Sequence, residues 1–182
     1  GAGGSVIFRQ GFTDDEVLRL LHRATAMMGV PTFYVRLLAR PDFTKASAGH
    51  MRLFVSGSAP LSAETHKEFS ARTGHAILER YGMTETNMNT SNPYDGERRP
   101  GTVGFPLPGV ELRIVDPDKG GDLAPGETGM TEVRGPNVCK GDWRTHEPQA
   151  TDLRADRLFR TGDPRLLVSD RYGQLAGRGP GL

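Results

Sequence analysis

Val17, Leu18, Leu20, Leu21, Ala24, Met27 and Met28 recur at the three- and four-residue spacing of a helix face. Thr13 and Glu16, just ahead of that run, have the spacing of a capping box in which the Thr13 hydroxyl accepts from the Glu16 backbone N–H. Gly29 closes the predicted helix. Pro31 suits the first turn of a second helix, which reaches about Ala39 and stops at Pro41. "GGSVIFRQGF" (residues 3–12) holds a short strand candidate at Ser5–Arg9. "MRLFVSG" (51–57) reads as a buried strand entering a small-residue turn, "SGSAPLS". Ser62 caps a helix that runs to Arg72, with Gly74 as its stop. "HAILERYG" (75–82) is the next strand. Strand, helix and strand over 51–81 make the βαβ pattern of a parallel sheet.

From Pro100 the period changes. Val110, Leu112 and Ile114 alternate with Glu111 and Arg113, which predicts a strand with one buried face. "DPDKGG" is a turn, "GETGMTEVRGP" a further strand, and "RLLVSDRYGQLAGR" (165–178) a hairpin turning near Ser169–Gly173. The expected class is therefore α/β: a parallel βαβ portion over 1–100, then a smaller, mostly β portion over 101–182.

Composition narrows the function. The 182 residues carry 23 Lys plus Arg against 22 Asp plus Glu, and a net charge of +1 argues against nucleic acid or an anionic membrane as partner. No apolar run approaches the roughly 18 residues that cross a bilayer. One cysteine, Cys139, forbids an intrachain disulfide and fits a reducing compartment, so the expected location is cytoplasmic. The histidines, at 22, 50, 66, 75 and 146, lack ligand spacing, which argues against a zinc site. Neither Gly-x-x-x-x-Gly-Lys-Ser/Thr nor Gly-x-Gly-x-x-Gly after a strand is present, and Ser58 does not sit in a Gly-x-Ser-x-Gly elbow.

The richest stretch is "RYGMTETNMNT" (80–90), read as a loop at the carboxyl end of a strand, where parallel sheets bind ligands. Tyr81 offers a ring that stacks on a base or packs on a helix. Thr84 offers a hydroxyl to a phosphate oxygen. Glu85 is either a hard oxygen ligand for Mg²⁺ or a solvated loop acid. "FRTGD" (159–163) adds Asp163 in a tight turn, where it accepts from ribose hydroxyls or from its own backbone.

"SGSAPL", "ERYGMTETNMNTSNPYDG", "GTVGFPLPGVELRIVD", "RGPNVCKGDWR" and "TGD", in this order, resemble the adenylate-forming superfamily of acyl-CoA synthetases over essentially the whole chain. "NMNTSNPYDG" together with "MGVPTFYVRLL" is similar to its malonyl-CoA synthetase branch. The resemblance implies that 1–100 and 101–182 are the α/β part and the distorted barrel-like part of one AMP-binding domain, ending at the hinge to a further C-terminal domain. It implies a ligase that joins malonate, or a related dicarboxylate, to coenzyme A through an acyl-adenylate made from ATP, with AMP released. In that scheme Tyr81 stacks on adenine, and Ser58 and Ala59 line the base pocket through their backbone. Thr84 contacts the α-phosphate, Glu85 binds Mg²⁺, and Asp163 holds the ribose hydroxyls with Arg178 nearby. Arg36 in "PTFYVRLL" then pairs with the second carboxylate of malonate. The other reading of Arg36 is an exposed arginine on an amphipathic helix.

The family's Gly/Ser/Thr-rich phosphate loop does not occur here, and the resemblance places it before Gly1. The domain with the catalytic lysine falls beyond Leu182. "GRGPGL" stands where the family reads Gly-Arg-x-Lys-Asp, and Pro164 follows "TGD" where Leu-Gly is common. The expectation is the central part of a synthetase, inactive by itself. Two alternatives stay open: a ligase for another carboxylic acid, and a non-catalytic nucleotide-binding or truncated module.

Overall fold

The computed structural model of the chain describes residues 3–8, 10–139, 157–167 and 173–175. The chain is of mixed α/β class, with parallel strands and a separate antiparallel sheet, and divides into two compact units, Gly1–Ile77 and Leu78–Leu182.

In the first unit the elements run α1 (Asp14–Leu21), β1 (Ala26–Gly29), α2 (Pro31–Leu38), α3 (Lys45–Ala48), β2 (Leu53–Ser56) and α4 (Ala63–Thr73). Pro31 occupies the first turn of α2 as expected. Ser62 caps α4 by accepting from Thr65 N, and Gly74 ends it in the left-handed region at φ 79°. The first predicted helix is shorter than its apolar spacing suggests. It stops at Leu21, and Ala26–Gly29 instead pairs in parallel with Leu53–Ser56, so Met27 and Met28 belong to a strand. The burial of these four residues alternates as in a strand, and the ladder to β2 overrides the helical spacing. Thr13 is the N-cap of α1, but its side chain makes no capping bond, so the box with Glu16 does not form. Over the described residues 5–8, the expected Ser5–Arg9 strand does not form. Residues 4–8 have no regular structure, and Val6 and Phe8 are exposed. A strand with no ladder leaves its backbone groups unpaired, and no described strand pairs with this segment.

Four rings centre this unit. Phe69 of α4 meets Tyr34 edge-on at 5.5 Å, Phe54 at 5.0 Å and Phe43 at 5.7 Å between centroids. All four are fully buried, a burial of about 1.5–3 kcal/mol each. That anchors α4 and fixes where the turn after β2 emerges.

The second unit opens with β3 (Leu78–Met83), β4 (Asn87–Ser91) and β5 (Phe105–Pro106), which pair antiparallel in that order. The polar tract expected to be a loop is therefore mostly strand: Asn87–Ser91 hydrogen-bonds back onto β3. Asn89 and Thr90 are buried there, and their side chains suit a polar interior better than solvent. The register shifts between Tyr81 and Gly82, where a β-carbon would strike the carbonyl oxygen of Asn87. Only glycine permits that approach.

Then come β6 (Glu111–Val115), β7 (Thr128–Arg134), β8 (Phe159–Leu167) and β9 (Gly173–Leu175), an antiparallel sheet in sequential order. Ile114 is buried as the alternation predicts, and Val115 is buried too. Asp116 makes the expected turn, its Oδ1 accepting from Asp118 N and Lys119 N, each at 2.9 Å. Those two bonds hold its carboxyl below the usual aspartate range. The hairpin expected at 165–178 is the β8–β9 pair, and its turn lies outside the described residues. The "TGD" motif is not a free-standing tight turn. It lies within β8, beside a register irregularity against β7, and Gly162 bends the strand with φ 70°.

Candidate functional site

Tyr81 sits late in β3 and Asp163 in the middle of β8. The Tyr81 hydroxyl donates to Asp163 Oδ2 at 2.9 Å. Only 7% of Tyr81 is exposed, so packing already covers most of its ring. Asp163 is half-buried. Its place is set by Thr161, whose hydroxyl donates to Thr131 O at 3.1 Å and accepts from Asp163 N at 3.2 Å. The backbone on either side of Gly162 is thus closed into a small loop that turns the aspartate toward β3. One residue earlier, Arg160 Nε meets Glu132 Oε1 at 3.1 Å, while Arg113 Nη2 meets Oε2 at 2.7 Å. Glu132 is fully buried, and the two guanidiniums compensate its charge.

Thr84 and Glu85 occupy the turn that joins β3 to β4. Thr84 is exposed and Glu85 half-buried. Thr86 N reaches Met83 O at 3.3 Å across the turn, and Asn87 leaves it at φ 51°, a conformation asparagine tolerates. Three bonds from a distant segment hold this turn. Cys139 N donates to Glu85 O at 2.7 Å, Asn137 Nδ2 to Thr86 O at 2.7 Å, and Asn87 Nδ2 to Asn137 O at 3.2 Å. Sequence reasoning missed Asn137, Thr86, Asn89 and Thr161. The one available signal was an amide directly after the Gly-Pro of "RGPNV".

Ser58, Ala59 and Arg36 belong to the first unit. Ser58 and Ala59 lie exposed in the turn after β2. Ser58 holds φ 67°, which costs a non-glycine residue energy and is a feature that clusters at ligand-binding turns. Arg36 lies on the exposed side of α2. Its Nε is 2.9 Å from Asp14 Oδ1, and its guanidinium carbon lies 4.7 Å over the Phe12 ring. Half of its side chain is solvent-accessible, so a carboxylate it took up would meet a solvated cation rather than a buried one. Arg178 and His146 lie outside the described residues.

Among the described residues, no three His, Cys, Asp or Glu side chains converge on a metal position. Glu85 alone brings a carboxylate to the turn. That donor set fits Mg²⁺, which is held by one or two carboxylates together with substrate phosphates and water. No helix in the described residues is long and apolar enough to cross a membrane.

The family model for AMP-binding enzymes matches residues 1–143 of this chain. The mitochondrial malonate–CoA ligase ACSF3 of Mus musculus is 39% identical over 177 residues, 81% of this chain and 30% of that protein. ATP-bound MatB from Rhodopseudomonas palustris is 58% identical with a TM-score of 0.90, over 94% of this chain and 34% of that one. A malonyl-CoA ligase in a ternary product complex with methylmalonyl-CoA and AMP is 41% identical with a TM-score of 0.81, over 93% and 37%. The chain spans about a third of the length of these relatives.

Proposed function

The chain belongs to the AMP-binding enzyme family, and from that premise we propose that it is the central part of an ATP-dependent ligase joining malonate, or a related dicarboxylate, to coenzyme A. The observation that carries the nucleotide reading is the bond from Tyr81 to Asp163, which sets a phenol beside a carboxylate in one unit. A carboxylate has about four acceptor sites. Tyr81 uses one, and the ribose hydroxyls would take others. The strip of Tyr81 left uncovered would lie against adenine, with the backbone of Ser58 and Ala59 lining the base and Arg178 near the ribose. The exposed Thr84 hydroxyl would donate to the α-phosphate. Glu85 would hold Mg²⁺, which when bound neutralises phosphate charge. The substrate carboxylate attacks the α-phosphorus and pyrophosphate leaves, then the thiol of coenzyme A displaces AMP from the acyl group. In this reading 1–100 and 101–182 are portions of one AMP-binding domain, the partners are small molecules, and the location is the cytoplasm. A single cysteine supports that compartment, although the mouse relative is named as mitochondrial.

Arg36 is proposed to meet the distal carboxylate of malonate. Its pairing with Asp14 favours a second reading, a ligase for another acid in which Arg36 is structural. Calorimetry of the chain with AMP and with MgATP tests the nucleotide site. Binding of both is expected, and absence of heat with either overturns it. Pyrophosphate release in the intact enzyme, compared for malonate, acetate and propionate, separates the two acid readings. The chain alone is expected to release none.

A further inference from the structure

We propose that Asn137 is the positioning residue for the Thr84–Glu85 turn, and hence for the phosphate and Mg²⁺ half of the nucleotide site; the inference rests on the reading above. Asn137 Nδ2 lies 2.7 Å from Thr86 O, 3.0 Å from Asn89 Oδ1 and 3.3 Å from Met88 O. Asn89 Nδ2 continues the chain of bonds to Thr86 Oγ1 at 2.8 Å. Asn87 Nδ2 returns a bond to Asn137 O, and Cys139 N adds one to Glu85 O. Every described bond from residues 137–139 to the hairpin thus lands on residues 85–89.

Within the turn, Thr86 N reaches Met83 O only at 3.3 Å, and the strand pairs Met83–Asn87 and Gly82–Met88 flank it. Thr86 and Asn89 are fully buried, so water does not replace the Asn137 donor if it is lost. Asn137 Oδ1 is itself buried without a hydrogen-bond partner in the described structure, so the residue serves through its NH₂ group. Gly135 makes room for it, because a β-carbon there would strike Asn137 Oδ1. An NH₂ facing three oxygens accepts no carboxylate in its place. The Tyr81–Asp163 pair shares none of these bonds, so the two halves of the site are separable.

The test is calorimetry on wild type, Asn137→Ala and Asn137→Asp, with adenosine and with MgATP as probes. Adenosine affinity is expected to stay within about twofold, while MgATP affinity falls roughly tenfold in Asn137→Ala and further in Asn137→Asp. A general loss of structure would weaken both probes together. Parallel weakening, or an unchanged MgATP affinity, overturns the proposal. Wild type that binds neither probe removes the nucleotide site itself, and this inference with it. Should Asn137→Ala not fold, Asn87→Gly deletes only the exposed bond to Asn137 O and keeps the left-handed backbone. It is expected to weaken MgATP about threefold and spare adenosine, and an equal effect on both counts against the proposal.

Discussion

Tyr81 and Asp163 stand 82 positions apart and share a 2.9 Å hydrogen bond, phenol to carboxylate. The bond makes distinct predictions for the two partners. Tyr81→Phe keeps the ring and leaves Asp163 Oδ2 without that donor. Stability should fall by about 1–2 kcal/mol and AMP affinity by less than roughly fivefold. Asp163→Ala removes the proposed ribose acceptor, and AMP affinity should fall about a hundredfold. Calorimetry with AMP checks both. Equal losses would mean that the pair only braces the fold.

Gly82→Ala should damage the same hairpin by sterics alone. Its new methyl group would meet the Asn87 carbonyl, which is backbone and cannot rotate away. Overpacking of this kind costs about 1–3 kcal/mol. Gly29→Ala is the control, since its β-carbon would meet the Phe33 side chain at 3.0 Å, where a ring tilt relieves the contact. Urea unfolding of both variants should rank Gly82→Ala as the less stable. The reverse order contradicts the close approach at the bulge.

How far the sequence reached depends on the kind of signal. Ser62, Gly74 and Pro31 act on backbone within a few residues of themselves, and each sits where its chemistry requires. Met27 and Met28 fall on helical spacing, and only the ladder to Phe54 and Val55 selects the strand. The amides at Asn87 and Asn89 looked like loop residues because polar side chains usually face water. Asn87 does stay exposed, but Asn89 is buried, and the Asn137 amide that donates to it stands 48 positions away, which no local window contains. Tyr81, Thr84, Glu85 and Asp163 could be picked as candidates from their residue types alone, but the bond between Tyr81 and Asp163 could not.

Arg36 offers a test of substrate choice. Its pair with Asp14 is partly solvated, so a double-mutant cycle should give a coupling of about 0.2–1 kcal/mol. Arg36→Ala should therefore leave the fold nearly intact. In the intact enzyme, the malonate role requires that this variant raise KM for malonate while leaving KM for acetate alone. Equal effects on both acids would confine Arg36 to its bridge with Asp14.

Tyr34 should give the first unit an alkaline limit. Its side chain is fully buried, and its hydroxyl donates to Val55 O at 2.5 Å. Desolvation raises the phenol pKa well above its ordinary value. The unfolded chain, with a tyrosine pKa of about 10, loses that proton first. The contribution of Tyr34 is therefore complete below about pH 10 and shrinks as pH climbs from there toward the folded-state value, by about 1.4 kcal/mol per pH unit. Other groups titrate in the same window, so the informative quantity is the difference between wild type and Tyr34→Phe. At pH 8 the variant should be less stable by about 1–3 kcal/mol, because Val55 O loses its donor. Between about pH 10 and 11 the gap should narrow, since phenylalanine has no proton to lose. Urea midpoints at pH 8 and above pH 10 measure it. A gap that stays constant would mean that Tyr34 ionises in the folded chain as readily as in the unfolded one.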